Sequence, residues 1–169
     1  KGSPGELVRA GGGGFFYHRG IEVVMILDAS PFGLGGILIE DGRVVSWFAS
    51  ELTHHDEAVH KQSRGEAEGQ QNWEALCVLV AVRCWATRWS DKRVSITMKS
   101  GNMAALSLAA RLKSKVSSLI AKETALVYSS ASFQPRYVEH IPGVLTYSAD
   151  ALSRLPPPHR GYEVPPYLP

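Results

Sequence analysis

The chain has 169 residues, 44% apolar, 20% charged and 9% aromatic, an ordinary globular composition with length enough for one sizeable core. Its net charge of +2 is too small to make the whole surface a nucleic-acid or membrane-surface binder. The longest apolar run, Ala75 to Val82, is far short of the roughly 20 residues a membrane span needs. With no apolar signal segment near Lys1, the expectation is a soluble, intracellular protein, cytoplasmic or nuclear, neither secreted nor membrane-bound. The charge is unevenly spread. Residues 1–91 hold 8 basic and 12 acidic side chains, whereas residues 92–169 hold 10 and 4, so the second half carries the surface suited to a phosphate-bearing partner. Cys77 and Cys84 lie seven apart in a helical stretch, about 10 Å between α-carbons, beyond disulfide reach.

Residues 1–20, with Gly11 to Gly14 in one run, read as a flexible lead-in or linker outside the fold. Strands are expected at Glu22–Asp28, Gly33–Glu40 and Arg43–Ser50, the last two joined by the hairpin signal Asp41-Gly42. A polar loop rich in His, Asp and Ser then precedes a long helix near Gln70–Trp89. Val94–Lys99 is a fourth strand, Asn102–Leu112 and Ser117–Ser130 are helices, Arg136–Ile141 is a fifth strand and Tyr147–Leu155 a closing helix. The expected fold class is α/β, a five-stranded mixed sheet with helices packed on it, over residues 21–155. Residues 156–169, with six of the ten prolines, read as an extended Pro-rich linker or tail.

Three acids stand out. Asp28 ends an apolar strand where a loop begins, a position that serves either metal or catalytic chemistry or the capping of a turn. Glu74 shares a helical arc with Val78, Ala81 and Trp85, so it is either a partly desolvated functional acid or a charge at the core's rim. Asp150 starts a helix, where an Asp also stabilises the helix dipole. Spacing alone does not bring the three together.

The segment from Leu27-Asp28-Ala29-Ser30 through Gly33-Leu34-Gly35-Gly36, the helix with Trp73-Glu74-Ala75-Leu76, and the ending His140-Ile141-Pro142-Gly143 through Ala149-Asp150-Ala151-Leu152-Ser153-Arg154 closely resemble the RNase H domain of reverse transcriptases from gypsy-like LTR retrotransposons. The likeness covers about residues 22–155. It implies an RNase H-like fold in which four acids hold two divalent cations, Mg²⁺ or in its place Mn²⁺, that cut the RNA strand of an RNA–DNA hybrid. Asp28 would bridge both ions, Glu74 serve one and Asp150 the other. Implied partners are the hybrid and the reverse transcriptase and integrase parts of a polyprotein.

One departure matters. Where such domains place their remaining acid after the fourth strand, this chain has Lys99-Ser100-Gly101-Asn102, and the acid position is Gly101. The nearest acids, Asp91 and Glu123, are too distant in sequence to substitute. The resemblance therefore implies a nuclease with weakened or lost cleavage; the alternative is a catalytically dead module that binds nucleic acid or a protein partner. A milder departure puts Thr146 where an Asn is usual. Arg111, Lys113 and Lys115 form a basic run suited to the hybrid backbone. Ser30, Gly33 and Asn102 adjoin the acid positions and are expected to approach sugar hydroxyls or phosphates. The cluster His54, His55 and His60 lacks the spacing of a zinc site and reads as a polar loop. Trp73, Trp85 and Trp89 read as core residues, and His140 as a turn histidine.

Overall fold

The computed structural model describes residues 5–9, 15–141 and 146–169. Residues Gly11 to Gly14 and the Pro142-Gly143 turn lie outside that set.

In place of an unstructured lead-in, β1 (Gly5–Arg9) and β2 (Phe15–Arg19) pair as an antiparallel two-stranded sheet. Both segments carry β-favouring residues, Leu7 and Val8 in one and Phe15, Phe16 and Tyr17 in the other, and the glycine run separates them. The main sheet follows: β3 (Ile21–Ala29), β4 (Gly33–Glu40) and β5 (Arg43–Glu51) form an antiparallel meander. The β4–β5 turn uses Asp41 and Gly42, both at positive φ (46° and 81°), as a two-residue hairpin turn that matches strand twist requires. Then come β6 (Val94–Ser100) and β7 (Tyr137–His140), which run parallel to β3, giving the order β5-β4-β3-β6-β7.

The helices are α1 (His54–His60), α2 (Gln70–Trp85), α3 (Met103–Arg111), α4 (Ser118–Ser130) and α5 (Tyr147–Ser153). Alternation along β3 divides the core. Val23, Met25, Leu27 and Ala29 face the large cluster built with α2, α3 and α4, while Ile26 belongs to a second cluster on the opposite face with Ile37, Ala149 and Leu152, where α5 lies.

The helix α1 replaces the expected polar loop. It buries no residue, so no apolar periodicity announces it. Instead Thr53 and Asp56 form a reciprocal capping box, and Lys61 closes the helix in the left-handed conformation. The helix α2 ends at Trp85 rather than Trp89: the chain turns so that Arg88 Nε and Trp89 Nε1 both donate to Glu40 Oε2, at 2.8 and 2.6 Å.

Residues 156–169 are not an extended tail. The segment returns over the α5 side of the sheet, where Leu155 and Leu168 pack on the second cluster and Trp47 Nε1 donates to the Pro169 carbonyl oxygen at 2.6 Å. Proline content removes helix and strand from this stretch, but its Leu and Pro side chains still find an apolar surface to cover.

Candidate acidic site

Strand register places the acids. Asp28 lies directly opposite Gly35, and Leu27 pairs with Ser100, so position 101 continues β6 beside Asp28 at the same end of the sheet. The glycines of β4 admit α5. A Cβ on Gly35 would overlap the Ala149 carbonyl oxygen and come within 2.9 Å of Leu152 Cβ, and one on Gly33 would overlap the Ser153 carbonyl oxygen. Only a strand without side chains here lets a helix backbone lie this close. Asp150 is thereby brought near enough to Asp28 for its charge to act on the Asp28 carboxyl.

Asp28 is half-buried, and its pKa is pushed up to about 7, first by burial and then by the hydrogen bond and charge of Asp150, with the Arg154 guanidinium opposing. Glu74 is 6% exposed. Burial, and after it the negative charge of Asp28, pushes it up to about 8. Gln70, one turn before it on α2, donates to both the Ala29 carbonyl oxygen (2.6 Å) and Glu74 Oε1 (3.2 Å), tying the helix to the end of β3. Beneath, the Cys77 thiol donates towards the Asp28 and Gly35 carbonyl oxygens at 3.4 Å each; burial pushes its pKa up, so it stays a neutral packing group.

Other expected site residues fall differently. Gly101 is exposed and supplies no donor. Asn102 caps α3, its Oδ1 accepting from the Ala104 and Ala105 amides at 2.9 and 3.1 Å, so that oxygen is committed to the helix. Ser30 and Gly33 lie buried beneath α5 rather than at an open surface. Ser30 is fully buried and donates to the Ser153 carbonyl oxygen at 2.6 Å, and Gly33 lies under Ser153 and Pro156; both set the position of α5. Arg111, Lys113 and Lys115 are exposed and, with Lys122, Ser107 and Ser114, line an open groove of about 640 Å³ between α3 and α4. The nine-residue α3 runs from beside Gly101 to Arg111, roughly 13 Å at 1.5 Å per residue. His54, His55 and His60 sit on α1, where His54 Nδ1 pairs with Glu57 Oε1 at 3.0 Å. Two neighbours of the acids, Gln70 and Arg154, escape a reading of the sequence alone. Both stand four residues from the acid they touch, and that helical spacing is the signal that could have found them.

The LC11-RNase H1 isolated from compost by a metagenomic approach superposes with a TM-score of 0.53 at 11% identity, covering 80% of this chain and 93% of that one. The fold is RNase H-like. RNase H1 from the halophilic archaeon Halobacterium salinarum NRC-1 gives 0.48 at 12% identity over 78% and 93% of the two chains. The foamy viral protease-reverse transcriptase gives 0.38 at 17% identity, over 75% of this chain and 25% of that one. No family model matches the chain, and no curated protein does.

The donor set suits a hard divalent cation: carboxylate oxygens brought together in a half-buried place where like charges repel. The fit is partial. Among the described residues no group of three or more His, Cys, Asp or Glu side chains stands gathered as a ready metal site, since Glu74 is turned to Gln70 and Asp150 to Arg154.

Proposed function

We propose that this chain is the RNase H domain of a retroelement reverse transcriptase of gypsy-like LTR type, built to hydrolyse the RNA strand of RNA–DNA hybrids and slowed severely by Gly101. The observation that carries this reading is the gathering of acids at the mouth of an RNase H-like sheet: Asp150 is brought beside Asp28 by the close approach of α5 to the β4 glycines, and buried Glu74 is near enough to feel the charge of Asp28. Asp28 would be shared between two cation positions, with Glu74 serving one and Asp150 the other. Divalent cations held there, Mg²⁺ or Mn²⁺, would supply an activated water and stabilise the leaving oxygen.

The chain's own residues do the rest. Glu74 and Asp28 must shed protons to become ligands, so cation binding strengthens as pH rises towards 8. Gln70 orients Glu74, and the glycines of β4 hold Asp150 against Asp28. Arg111, Lys113 and Lys115 grip phosphates at the far end of α3, positioning the hybrid without reading its sequence. Other parts of a polyprotein, a reverse transcriptase and an integrase, would be its protein partners. LC11-RNase H1 has itself been solved in complex with an RNA/DNA hybrid.

The missing donor at 101 favours a second reading, a module that binds the hybrid without cutting it. Product analysis on an end-labelled hybrid separates the two. Slow release of RNA fragments with 5′-phosphate and 3′-hydroxyl ends, abolished by Asp28→Asn, supports the nuclease; hybrid binding with no product at high enzyme and in Mn²⁺ supports the binding module.

A further inference from the structure

The acid site already contains a positive charge. Arg154 Nε lies 2.8 Å from Asp150 Oδ1, and Asp150 follows Ala149, whose carbonyl oxygen sits against Gly35, the strand partner of Asp28. The guanidinium is braced from the C-terminal side. Its Nη1 donates to His159 Nε2 at 3.2 Å, since a guanidinium has no acceptor to offer, and its carbon stands 6.0 Å from the centre of the Tyr162 ring. His159 is fixed edge-to-face between Phe32 (5.8 Å) and Tyr162 (6.1 Å).

The segment that supplies this brace is pinned on both sides. Pro156 is buried over Gly33, and at the other end Leu168 packs on the second cluster while Pro169 accepts from Trp47. His159 and Tyr162 lie between those anchors, so the guanidinium is held on Asp150 by tertiary structure and not only by the flexible side chain of Arg154.

Charge completes the argument. Asp28, Glu74 and Asp150 bring three carboxylates, and position 101, which would bring a fourth, brings none. A resident guanidinium lowers the remaining negative charge further and occupies an Asp150 oxygen that a divalent cation would use. Resting on the cation-site reading above, we propose that Arg154, braced by His159 and Tyr162, is a built-in competitor that keeps Asp150 from divalent cations and sets the site's affinity for them.

A structural role and a competing role predict opposite signs. The experiment is a Mn²⁺ titration of the whole chain by calorimetry, with electron paramagnetic resonance counting free Mn²⁺, at pH 8. Arg154→Gln is expected to tighten Mn²⁺ binding about tenfold, Arg154→Lys to stay within about twofold of the original chain, and His159→Ala combined with Tyr162→Ala, which leaves Arg154 unbraced, to tighten it about threefold. Circular dichroism checks folding, and the double variant carries the test if Arg154→Gln does not fold. Weaker or unchanged binding in both Arg154→Gln and the double variant overturns the proposal. Asp28→Asn separates the two levels: if it abolishes binding while Arg154→Gln fails to tighten it, the competitor idea alone is wrong, and if it leaves Mn²⁺ binding unchanged, the cation site and the proposal resting on it both fall.

Discussion

Gly35 and Ala149 are in backbone contact: a side chain on Gly35 would overlap the Ala149 carbonyl oxygen. Because Gly35 is also the β-partner of Asp28, this one close approach puts the residue after Ala149, Asp150, beside Asp28. The acid pair thus depends on a missing methyl group at a residue that carries no charge.

Gly35→Ala should therefore displace α5. The added methyl meets backbone rather than a movable side chain end, so a cost of about 3 kcal/mol is expected. Urea unfolding measures the loss, and Mn²⁺ binding measures the site, which should weaken in the fraction that stays folded. A variant as stable as the original and binding Mn²⁺ equally would contradict the packing argument.

The raised acids make stability fall as pH rises. Asp28 and Glu74 have ordinary values of 3.8 and 4.5 and folded values of about 7 and about 8, so the folded chain keeps protons that the unfolded chain has released. No penalty exists below about pH 4; it grows between about pH 4 and 8 and is complete above about pH 8. Glu74→Gln removes the larger share and should stabilise the fold by roughly 1–3 kcal/mol at pH 8, with the gain vanishing near pH 4. Denaturant midpoints at the two pH values decide it, and a gain of equal size at both would show that Glu74 is not the titrating group.

Much of this arrangement is legible in the sequence. Alternating apolar residues mark β3 and β6, the Asp41-Gly42 pair marks the hairpin turn, and Asp28, Glu74 and Asp150 stand out by their positions on a strand end and two helices. Residues escape where their meaning depends on a neighbour from elsewhere in the chain. Ser30 and Gly33 adjoin Asp28 in sequence, but α5 packs so tightly that they lie beneath it rather than facing outward. The helix α1 has no buried residue, so only the Thr53–Asp56 cap could have revealed it. The return of residues 156–169 depends on Trp47 meeting Pro169 across 122 residues, which proline content does not encode.

The basic groove should act through phosphate charge. Replacing Arg111, Lys113 and Lys115 by Ala removes exposed cations without touching the core, so the circular dichroism spectrum and melting temperature stay unchanged. Hybrid binding should weaken, and the slope of log affinity against log salt should become shallower by up to about 0.9 for each phosphate no longer neutralised. Anisotropy titrations at several salt concentrations give that slope. An unaltered slope would place the hybrid elsewhere.

The most direct test of the central claim is cleavage of a labelled RNA–DNA hybrid in Mg²⁺ and in Mn²⁺ by three proteins: the chain as it stands, Gly101→Asp, and Gly101→Asp combined with Asp28→Asn. Restoring a carboxylate beside Asp28 should raise the rate at least about 100-fold, above the ~10–100-fold typical of residues that only support metal ligands. The added Asp28→Asn should abolish it. No cleavage by Gly101→Asp, with the hybrid still tightly bound, would contradict the account and leave a nucleic-acid-binding module on an RNase H-like fold.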